Sequence, residues 1–384
     1  MAKIQLLNKI SKVGLKQFND TYEISDAIAD PDAILVRSAA MHDMEFGSSL
    51  KAIGRAGAGV NNIPVDRCAE EGIVVFNTPG ANANGVKELA VAALMLASRD
   101  IVGGIQWANS LTADVAKSVE KGKSAFAGNE IMGKTLGVIG LGAIGGLVAN
   151  AAKSLGMNVI GCDPYITIDG AWHLSRAIQK AATYDEVFEK ADYISLHVPA
   201  TPQTKNMICA ESIAKMKDGV RIINLARADL VNAADLKAAI VEGKVASYVT
   251  DFPTEETIGV KGIVTIPHLG ASTEESEDNC AVMAANELID YLENGNIKNS
   301  VNFPNLNLPH TAAHRVVILH KNIPNTIARI TGSLAEQNIN IENLVNASKG
   351  DYAGTIAETN SPIDDSVIEK IASVDGIIRA IRIS

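Results

Sequence analysis

The fold is decided by residues 137–163, GVIGLGAIGGLVANAAKSLGMNVIGCD. A short apolar run at 136–139 predicts a buried strand, which turns through a glycine-rich loop into an alanine-rich helix reaching about Ser154. A second strand is predicted at 158–162, and Asp163 follows it directly. This order of strand, glycine loop, helix, strand and acid is typical of a dinucleotide-binding βαβ unit.

Each glycine of the GxGxxG pattern has a distinct physical role. Gly140 permits the tight turn, Gly142 lets the backbone approach a diphosphate, and Gly145 lets the helix pack closely on the strand. Amides at the start of the helix are available to bind the diphosphate. Asp163 is placed to bond the adenosine ribose, and its charge repels a 2′-phosphate, so the pattern favours NAD over NADP.

A membrane span is the competing interpretation of residues 135–152, because this stretch carries no charge. Its glycines and the immediate return to an α/β pattern argue against a span. The start of the chain, MAKIQLLNKI, lacks the apolar core of a secretory signal. We therefore expect a cytoplasmic protein.

Composition sets further bounds on function. The 384 residues suggest two or three domains, and 47% hydrophobic with 20% charged residues is ordinary for a globular protein. A net charge of −10 argues against a general nucleic-acid or acidic-membrane surface. The four cysteines are scattered without metal-ligand spacing, so we expect free thiols and no metal: Cys68, Cys162, Cys209 and Cys280.

Alternating apolar runs and helical stretches organise the chain into domains. We expect a first domain at 1–98 with a returning segment at 282–302, and a dinucleotide-binding domain at 99–281. Strands are predicted at 33–36, 73–76, 193–197, 221–225, 247–251 and 263–266, and helices at 88–98, 233–242 and 275–293.

A linker rich in proline and asparagine is predicted at 303–313, before a small domain at 314–384. Its predicted order is βαββαβ, with strands at 315–319, 340–348, 353–358 and 377–383 and helices at 326–337 and 365–372. The fold class is therefore α/β, with two doubly wound Rossmann-like domains and a C-terminal ferredoxin-like domain.

Three predicted strands of the second domain are followed by reactive side chains. Arg227 offers a fork that binds a carboxylate, His268 is suited to proton transfer, and Glu255 or Glu256 supplies the acid that orients the histidine. Ligands of open α/β sheets bind at the carboxyl ends of the strands. Together with NAD, this set suits oxidation of a 2-hydroxy acid.

Several longer motifs resemble the D-isomer-specific 2-hydroxy acid dehydrogenases over nearly the whole chain. The tail, with HKNIPN at 320–325 and NINI at 338–341, is similar to ACT regulatory domains. The motifs that carry the resemblance are at 34–38, 54–66, 76–89, 133–145, 192–201, 223–227 and 266–273.

The resemblance implies site residues and partners. Arg227 would bind the substrate carboxylate, His268 would act with Glu256 or Glu255, and Arg37 would bind the phosphate of 3-phosphoglycerate. The implied product is 3-phosphohydroxypyruvate, in the first step of L-serine biosynthesis, made by a homodimer or homotetramer. L-serine is the implied effector, at His320, Asn322 and Asn340. The implied NAD contacts are Ala58, Gly140, Gly142, Ala143, Ile144, Gly145, Asp163, Val198, Leu225, Ala226, Asp251, Gly270 and Ala271.

Departures from the family pattern leave alternatives open. Ala228 stands where the family has glycine, and Asp251-Phe252 lacks the valine between them. Ungapped spacing from Arg227 favours Glu256 as the acid, whereas matching the Phe-Pro-Thr-Glu string gives Glu255. Asn325 replaces a loop glycine of ACT domains, which weakens the effector assignment. Two other functions remain open: a dehydrogenase of another hydroxy acid, and a non-catalytic NAD-sensing or corepressor protein.

Overall fold

A computed structural model describes residues 1–383 of the chain. By its internal contacts the chain forms two compact units: residues 1–82 together with 277–384, and residues 83–276. The helix Glu274–Asn294 runs from the end of the second unit back into the first.

The amino-terminal part of the first unit contains a five-stranded parallel sheet in the order β2-β1-β3-β4-β5. Its middle strand β3 is the fully buried run AILV, which suits a parallel sheet covered on both faces. The elements are β1 (Ala2–Leu7), α1 (Lys12–Leu15), β2 (Tyr22–Ser25), β3 (Ala33–Val36), β4 (Ala52–Arg55), α2 (Val65–Glu70) and β5 (Val74–Phe76).

The second unit is built on a seven-stranded parallel sheet in the order β12-β11-β10-β9-β6-β7-β8. The strand order reverses between β6 and β9, where doubly wound folds bind their ligands. The strands are β6 (Thr135–Ile139), β7 (Asn158–Cys162), β8 (Gln179–Lys180), β9 (Tyr193–Leu196), β10 (Val220–Asn224), β11 (Val245–Thr250) and β12 (Ile263–Thr265).

Helices cover both faces of this sheet, and the first three residues of the long helix α11, up to Ser276, belong to the second unit. The helices are α3 (Ala83–Ser98), α4 (Ile101–Asn109), α5 (Val115–Gly122), α6 (Ala143–Ser154), α7 (Ile168–Trp172), α8 (Tyr184–Lys190), α9 (Ala210–Lys215), α10 (Ala233–Val241) and α11 (Glu274–Asn294). Short 3₁₀ turns lie at Lys123–Phe126 and Ala228–Leu230.

The carboxyl-terminal part of the first unit is a four-stranded antiparallel sheet in the order β14-β15-β13-β16, which confirms the predicted βαββαβ order. Side chains of this sheet share one apolar core with the amino-terminal sheet and α11. The elements are β13 (His314–Lys321), α12 (Thr326–Ala335), β14 (Ile341–Lys349), β15 (Tyr352–Thr359), α13 (Asp365–Ala372) and β16 (Ile377–Ile383).

The units divide the chain at other positions than the sequence boundaries at 98/99 and 281/282. Helix α3, which the sequence analysis gave to the first domain, packs in the second unit: Val86 and Leu94 share a core with Leu136 and Val138 of β6. The residues after 303 group with the first unit because they share its core. The predicted α/β fold class is confirmed.

The four cysteines are free thiols; Cys68, Cys162 and Cys280 are buried, and Cys209 is half-buried. Among residues 1–383, no helix has both the length and the apolar character to span a membrane.

Candidate functional site

The glycine loop joins β6 to α6 and has the geometry that each of its glycines requires. Gly140 has φ 86°, and a Cβ there would lie 2.5 Å from the carbonyl oxygen of His197. A Cβ on Gly145 would overlap the carbonyl oxygen of Gly140. Gly142 faces open space at the start of α6, with no side-chain cap. The first amides of α6 at Ala143 and Ile144 are therefore accessible to an anion.

Asp163 is fixed beside this loop. Its Oδ2 accepts a hydrogen bond of 2.8 Å from the Leu141 amide, and its Oδ1 accepts one of 2.8 Å from the Tyr165 amide. The Gly140 amide donates to the carbonyl of Cys162 at 2.9 Å, so β7 and the loop are tied together. The carboxylate is thus oriented by backbone donors and keeps free lone pairs for a further donor.

His197 follows β9 and borders the same loop. Burial lowers the pKa of His197 to about 4, so its ring is neutral near pH 7. Its Nε2 lies 2.8 Å from the Ser195 Oγ. A neutral, hydrogen-bonded imidazole beside the glycine loop suits a structural role. The next residue, Val198, also lies beside Gly140 of the loop.

Arg227 is presented by a turn at the end of β10. The buried Asn224 organises that turn, because its Oδ1 accepts from the amides of Ala226 and Arg227 at 3.1 and 3.3 Å. Its Nδ2 donates to the carbonyl of Arg227 at 2.8 Å. The guanidinium is exposed, and its Nη1 donates to the Ala226 carbonyl at 2.6 Å. Most of its donors therefore remain available to a carboxylate.

Asp251 follows β11 and is completely buried. Its Oδ2 accepts a hydrogen bond of 3.2 Å from the Gly270 amide, whereas its Oδ1 has no hydrogen-bond partner among residues 1–383. Burial raises the pKa of Asp251, and the charges of His268 and Arg227 oppose that rise. A buried oxygen without a donor indicates a position where a bound molecule supplies one.

Phe252, which the sequence analysis did not single out, lies against both candidate catalytic groups. Its ring centroid is 4.5 Å from that of His268, with the planes tilted by 44°. The Arg227 guanidinium lies over the same ring, 5.7 Å from its centroid. The structure thus brings Arg227 and His268 to one aromatic side chain. The only sequence signal was an aromatic residue directly after the strand-end acid.

Glu255 and Glu256 are exposed in a turn closed by Thr254 and Thr257. Within residues 1–383, no hydrogen bond or ion pair joins either glutamate to the His268 ring. Both glutamates line a cavity of about 440 Å³ whose wall also includes Phe252 but not His268. The choice between the two acids therefore stays a prediction.

In the first unit, Arg37 forms an ion pair with Glu277, 2.6 Å between Nη2 and Oε1, with each side chain 45% exposed. Arg55, which the sequence analysis did not single out, donates to the Arg37 carbonyl at 3.2 Å. The carbonyl of Ala58 accepts a 2.6 Å hydrogen bond from the Asn77 side chain. The two neighbouring arginines form a cationic pair that suits an anion, provided that Glu277 releases Arg37.

The predicted effector residues have different environments. His320 is buried, and its Nε2 lies 3.1 Å from the Thr355 Oγ1. Asn322 is exposed and donates to the Gly350 carbonyl at 3.0 Å. Asn340 is exposed, and its backbone amide donates to the Asn360 side chain at 3.1 Å. The imidazole of His320 is therefore hydrogen-bonded inside the sheet, whereas the Asn340 side chain forms no hydrogen bond within residues 1–383.

Comparison with known proteins identifies the family of this architecture. Residues 91–271 match the family described as "D-isomer specific 2-hydroxyacid dehydrogenase, NAD binding domain". The D-3-phosphoglycerate dehydrogenase of Synechocystis is 37% identical over 79% of this chain and 54% of its own length. That of Haemophilus influenzae is 32% identical over 95% of this chain and 90% of its own length.

Solved structures have the same fold. The NAD⁺-bound 3-phosphoglycerate dehydrogenase of Entamoeba histolytica has a TM-score of 0.60 and 28% identity, covering 78% of this chain and 98% of that chain. The D-mandelate dehydrogenase of Rhodotorula graminis has a TM-score of 0.68 at 22% identity, covering 78% and 97%. The chain spans about half the length of several curated relatives that it matches, 54% and 58% for two of them.

Proposed function

Because this chain belongs to the D-isomer-specific 2-hydroxyacid dehydrogenase family, we propose that it oxidises 3-phospho-D-glycerate to 3-phosphohydroxypyruvate with NAD. The observation that carries the proposal is the alignment of three groups at adjacent strand ends. Arg227 follows β10, Asp251 follows β11 and His268 follows β12, on the same sheet as the glycine loop. Relatives described as D-3-phosphoglycerate dehydrogenases support the choice of substrate.

The residues of the second unit fit NAD. The open backbone at Gly142 and the free amides of α6 suit the diphosphate, and Asp163 suits the ribose hydroxyls. The unpartnered Oδ1 of Asp251 is able to accept a hydrogen bond from the nicotinamide carboxamide. We assign the remaining NAD contacts to residues of the second unit that flank these groups and to one residue of the first unit: Val198, Leu225, Ala226, Gly270 and Ala271, together with Ala58.

Catalysis then follows from the two exposed groups. Arg227 grips the substrate carboxylate with two parallel hydrogen bonds and so orients C2. His268 accepts the proton of the C2 hydroxyl as the hydride leaves C2. Bound NAD supplies the acceptor for that hydride. Positioning of reactants contributes on the order of 7–11 kcal/mol in favourable cases, so the fixed geometry matters as much as the base.

Glu256 is the acid that pairs with the imidazolium of His268, and Glu255 is its alternative. A carboxylate beside a histidine orients the ring and stabilises the cation that forms. Both glutamates lie on the loop that follows Phe252, and both are exposed. Arg37 binds the substrate phosphate.

The C-terminal βαββαβ domain acts as an ACT-type regulatory domain in a cytoplasmic homodimer or homotetramer. Asn322 and Asn340 contribute to an L-serine site, with His320 supporting it from inside the sheet. Calorimetry with L-serine on the wild-type protein and on Asn340→Ala tests this assignment. The absence of heat with the wild type would leave the domain a role in assembly alone.

Incubating the purified protein with NAD and a panel of 2-hydroxy acids tests the main proposal. We expect NADH formation with 3-phospho-D-glycerate in preference to D-glycerate and D-lactate. A preference for an unphosphorylated acid would identify another dehydrogenase of this family. NAD binding without turnover of any acid would favour the NAD-sensing alternative.

A further inference from the structure

We propose that Phe252 is a positioning residue whose ring holds the side chains of Arg227 and His268 in a fixed relative position. The inference rests on the proposed function, because it assigns those two groups to the substrate carboxylate and to proton transfer. It adds a residue that contacts both of them although its side chain has no polar or titratable group.

The backbone on each side of the ring is fixed. The Phe252 amide donates to the Thr250 Oγ1 at 3.1 Å, and Thr250 is completely buried in β11. The preceding residue, Asp251, accepts the hydrogen bond from Gly270 and so ties β11 to the loop that carries His268. The ring itself is half-buried, and these hydrogen bonds fix the backbone that carries it.

The groups that touch the ring are held by little else. His268 is exposed, and no hydrogen bond to its ring nitrogens occurs within residues 1–383. The Arg227 guanidinium has one hydrogen bond, to the carbonyl of its neighbour Ala226. The packing against Phe252 therefore restrains an imidazole that hydrogen bonds do not hold, and an aromatic face attracts the guanidinium cation.

The absence of a valine after Asp251 determines where the ring of Phe252 lies. Because the chain goes directly from Asp251 to Phe252, the ring adjoins the buried acid that is bonded to the His268 loop. The same ring forms part of the wall of the cavity lined by Glu255 and Glu256. Phe252 therefore contacts the base, the carboxylate-binding group and the cavity of the acid.

The test compares Phe252→Leu with Phe252→Tyr, which keeps the aromatic face. We expect Phe252→Leu to lower kcat/KM by about 100-fold, the cost of a small misplacement of reacting groups, through both a lower kcat and a higher KM. Phe252→Tyr should restore most of it. NAD affinity and Tm should stay unchanged in both. Phe126→Leu, which removes a half-buried aromatic contact with Trp107 away from the candidate site, is the matched control.

A second readout does not depend on turnover. In protein labelled at histidine, the ring protons of His268, assigned with His268→Gln, should shift in Phe252→Leu because the ring current of Phe252 is lost. Wild-type kinetics and unchanged His268 resonances in Phe252→Leu would overturn the inference, as would a loss of activity that accompanies loss of NAD affinity or Tm.

The wild-type protein tests the proposed function, and the Phe252 variants test the positioning role. If the wild type prefers another 2-hydroxy acid, the proposed substrate is wrong, and the variants are compared on that acid with the same expectations. If the wild type oxidises no acid, both proposals fall, and the wild-type assay alone shows it. A failure seen only in the Phe252 variants overturns the positioning role and leaves the proposed function intact.

Discussion

The Arg315 guanidinium and the Glu358 carboxylate form an ion pair, with 2.6 Å between Nη2 and Oε1, and neither side chain is exposed to solvent. Arg315 also donates to the carbonyls of Asn294 and Leu308, at the end of α11 and in the following segment. Burial alone would raise the pKa of Glu358, but hydrogen bonds from Arg315 and Thr311 lower it to about 2. One buried pair thus joins β13, β15 and the segment that enters the C-terminal domain.

Removing one member of this pair should destabilise the first unit strongly. Arg315→Leu leaves a buried carboxylate without its cation, and we expect a loss of about 3–5 kcal/mol in the free energy of unfolding. Urea unfolding of the variant measures it. The double variant Arg315→Leu/Glu358→Leu should lose less. Lys370→Met, in an exposed pair with Glu336, should leave the free energy of unfolding nearly unchanged. Equal losses in these variants would contradict the interpretation.

Glu287 makes stability depend on pH. Burial raises the pKa of Glu287 from an ordinary value of 4.5 to about 8, against the hydrogen bond from Asn299 and the charge of Lys298. Between these two values the folded chain keeps a proton that the unfolded chain loses. Stability should therefore fall as pH rises through this window, by at most about 1.4 kcal/mol for each pH unit, and level off above it.

Glu287→Gln removes the titration and should flatten this decline, measured as the midpoint of urea unfolding between pH 5 and 9. Glu275→Gln, an exposed glutamate of the same helix, is the control and should follow the wild type. Parallel declines in the wild type and Glu287→Gln would show that another group is responsible.

Asp163 should determine cofactor choice. Its carboxylate is held by two backbone amides and would repel a 2′-phosphate, so we expect kcat/KM with NAD to exceed that with NADP strongly. Asp163→Ala should narrow the ratio by removing the repulsion. Asp163→Asn keeps one acceptor oxygen without the charge and separates the two effects. Comparable efficiency of the wild type with both cofactors would refute the role.

His268→Ala should lower kcat by ~10²–10⁴-fold, the range typical of a general acid–base group. NAD affinity, measured by fluorescence titration, should stay nearly intact because the imidazole acts on the substrate. Between the two acids, Glu256→Gln should lose more activity than Glu255→Gln. The reverse ranking would assign the pairing to Glu255.

Arg37 should discriminate between phosphorylated and unphosphorylated substrates. Arg37→Ala is expected to raise KM for 3-phosphoglycerate roughly ten-fold or more, the value of a charge-assisted hydrogen bond, with little effect on D-glycerate. Glu277→Gln releases Arg37 from its ion pair and should change KM in the opposite direction. Equal effects of Arg37→Ala on both substrates would show that it does not bind phosphate.

The architecture followed from the sequence where burial imposes a pattern. The helix at Asp365–Ala372 and the strand at Ile377–Ile383 have the predicted bounds, because each has one apolar face against a core. Helices α4 and α5 contain no buried residue, and the sequence analysis did not predict them. Helix α3 begins at Ala83, earlier than predicted. The weak helical propensity of Asn84 and Gly85 argued for a later start, but Gly85 packs tightly against Ser276 within the helix.

The site was predictable to the level of strand ends and no further. Carboxyl ends of parallel strands meet at one edge, so Arg227, Asp251 and His268 could be grouped from their positions alone. The contact of Phe252 with His268 and the pairing of Arg37 with Glu277 depend on side-chain direction and on residues far apart in sequence. Periodicity contains no information about either.

The core shared by the C-terminal sheet and the amino-terminal sheet has a consequence for protein engineering. Val317, Leu319 and Ile383 of the C-terminal strands pack with Leu288 and Tyr291 of α11, and the Arg379 guanidinium donates to the carbonyls of Ser48 and Leu50. A chain cut after residue 302 would expose this apolar surface and should aggregate. A chimaera that exchanges the C-terminal domain must therefore carry its facing segment of α11 with it, so the recombination boundary lies before Leu288, well upstream of the linker.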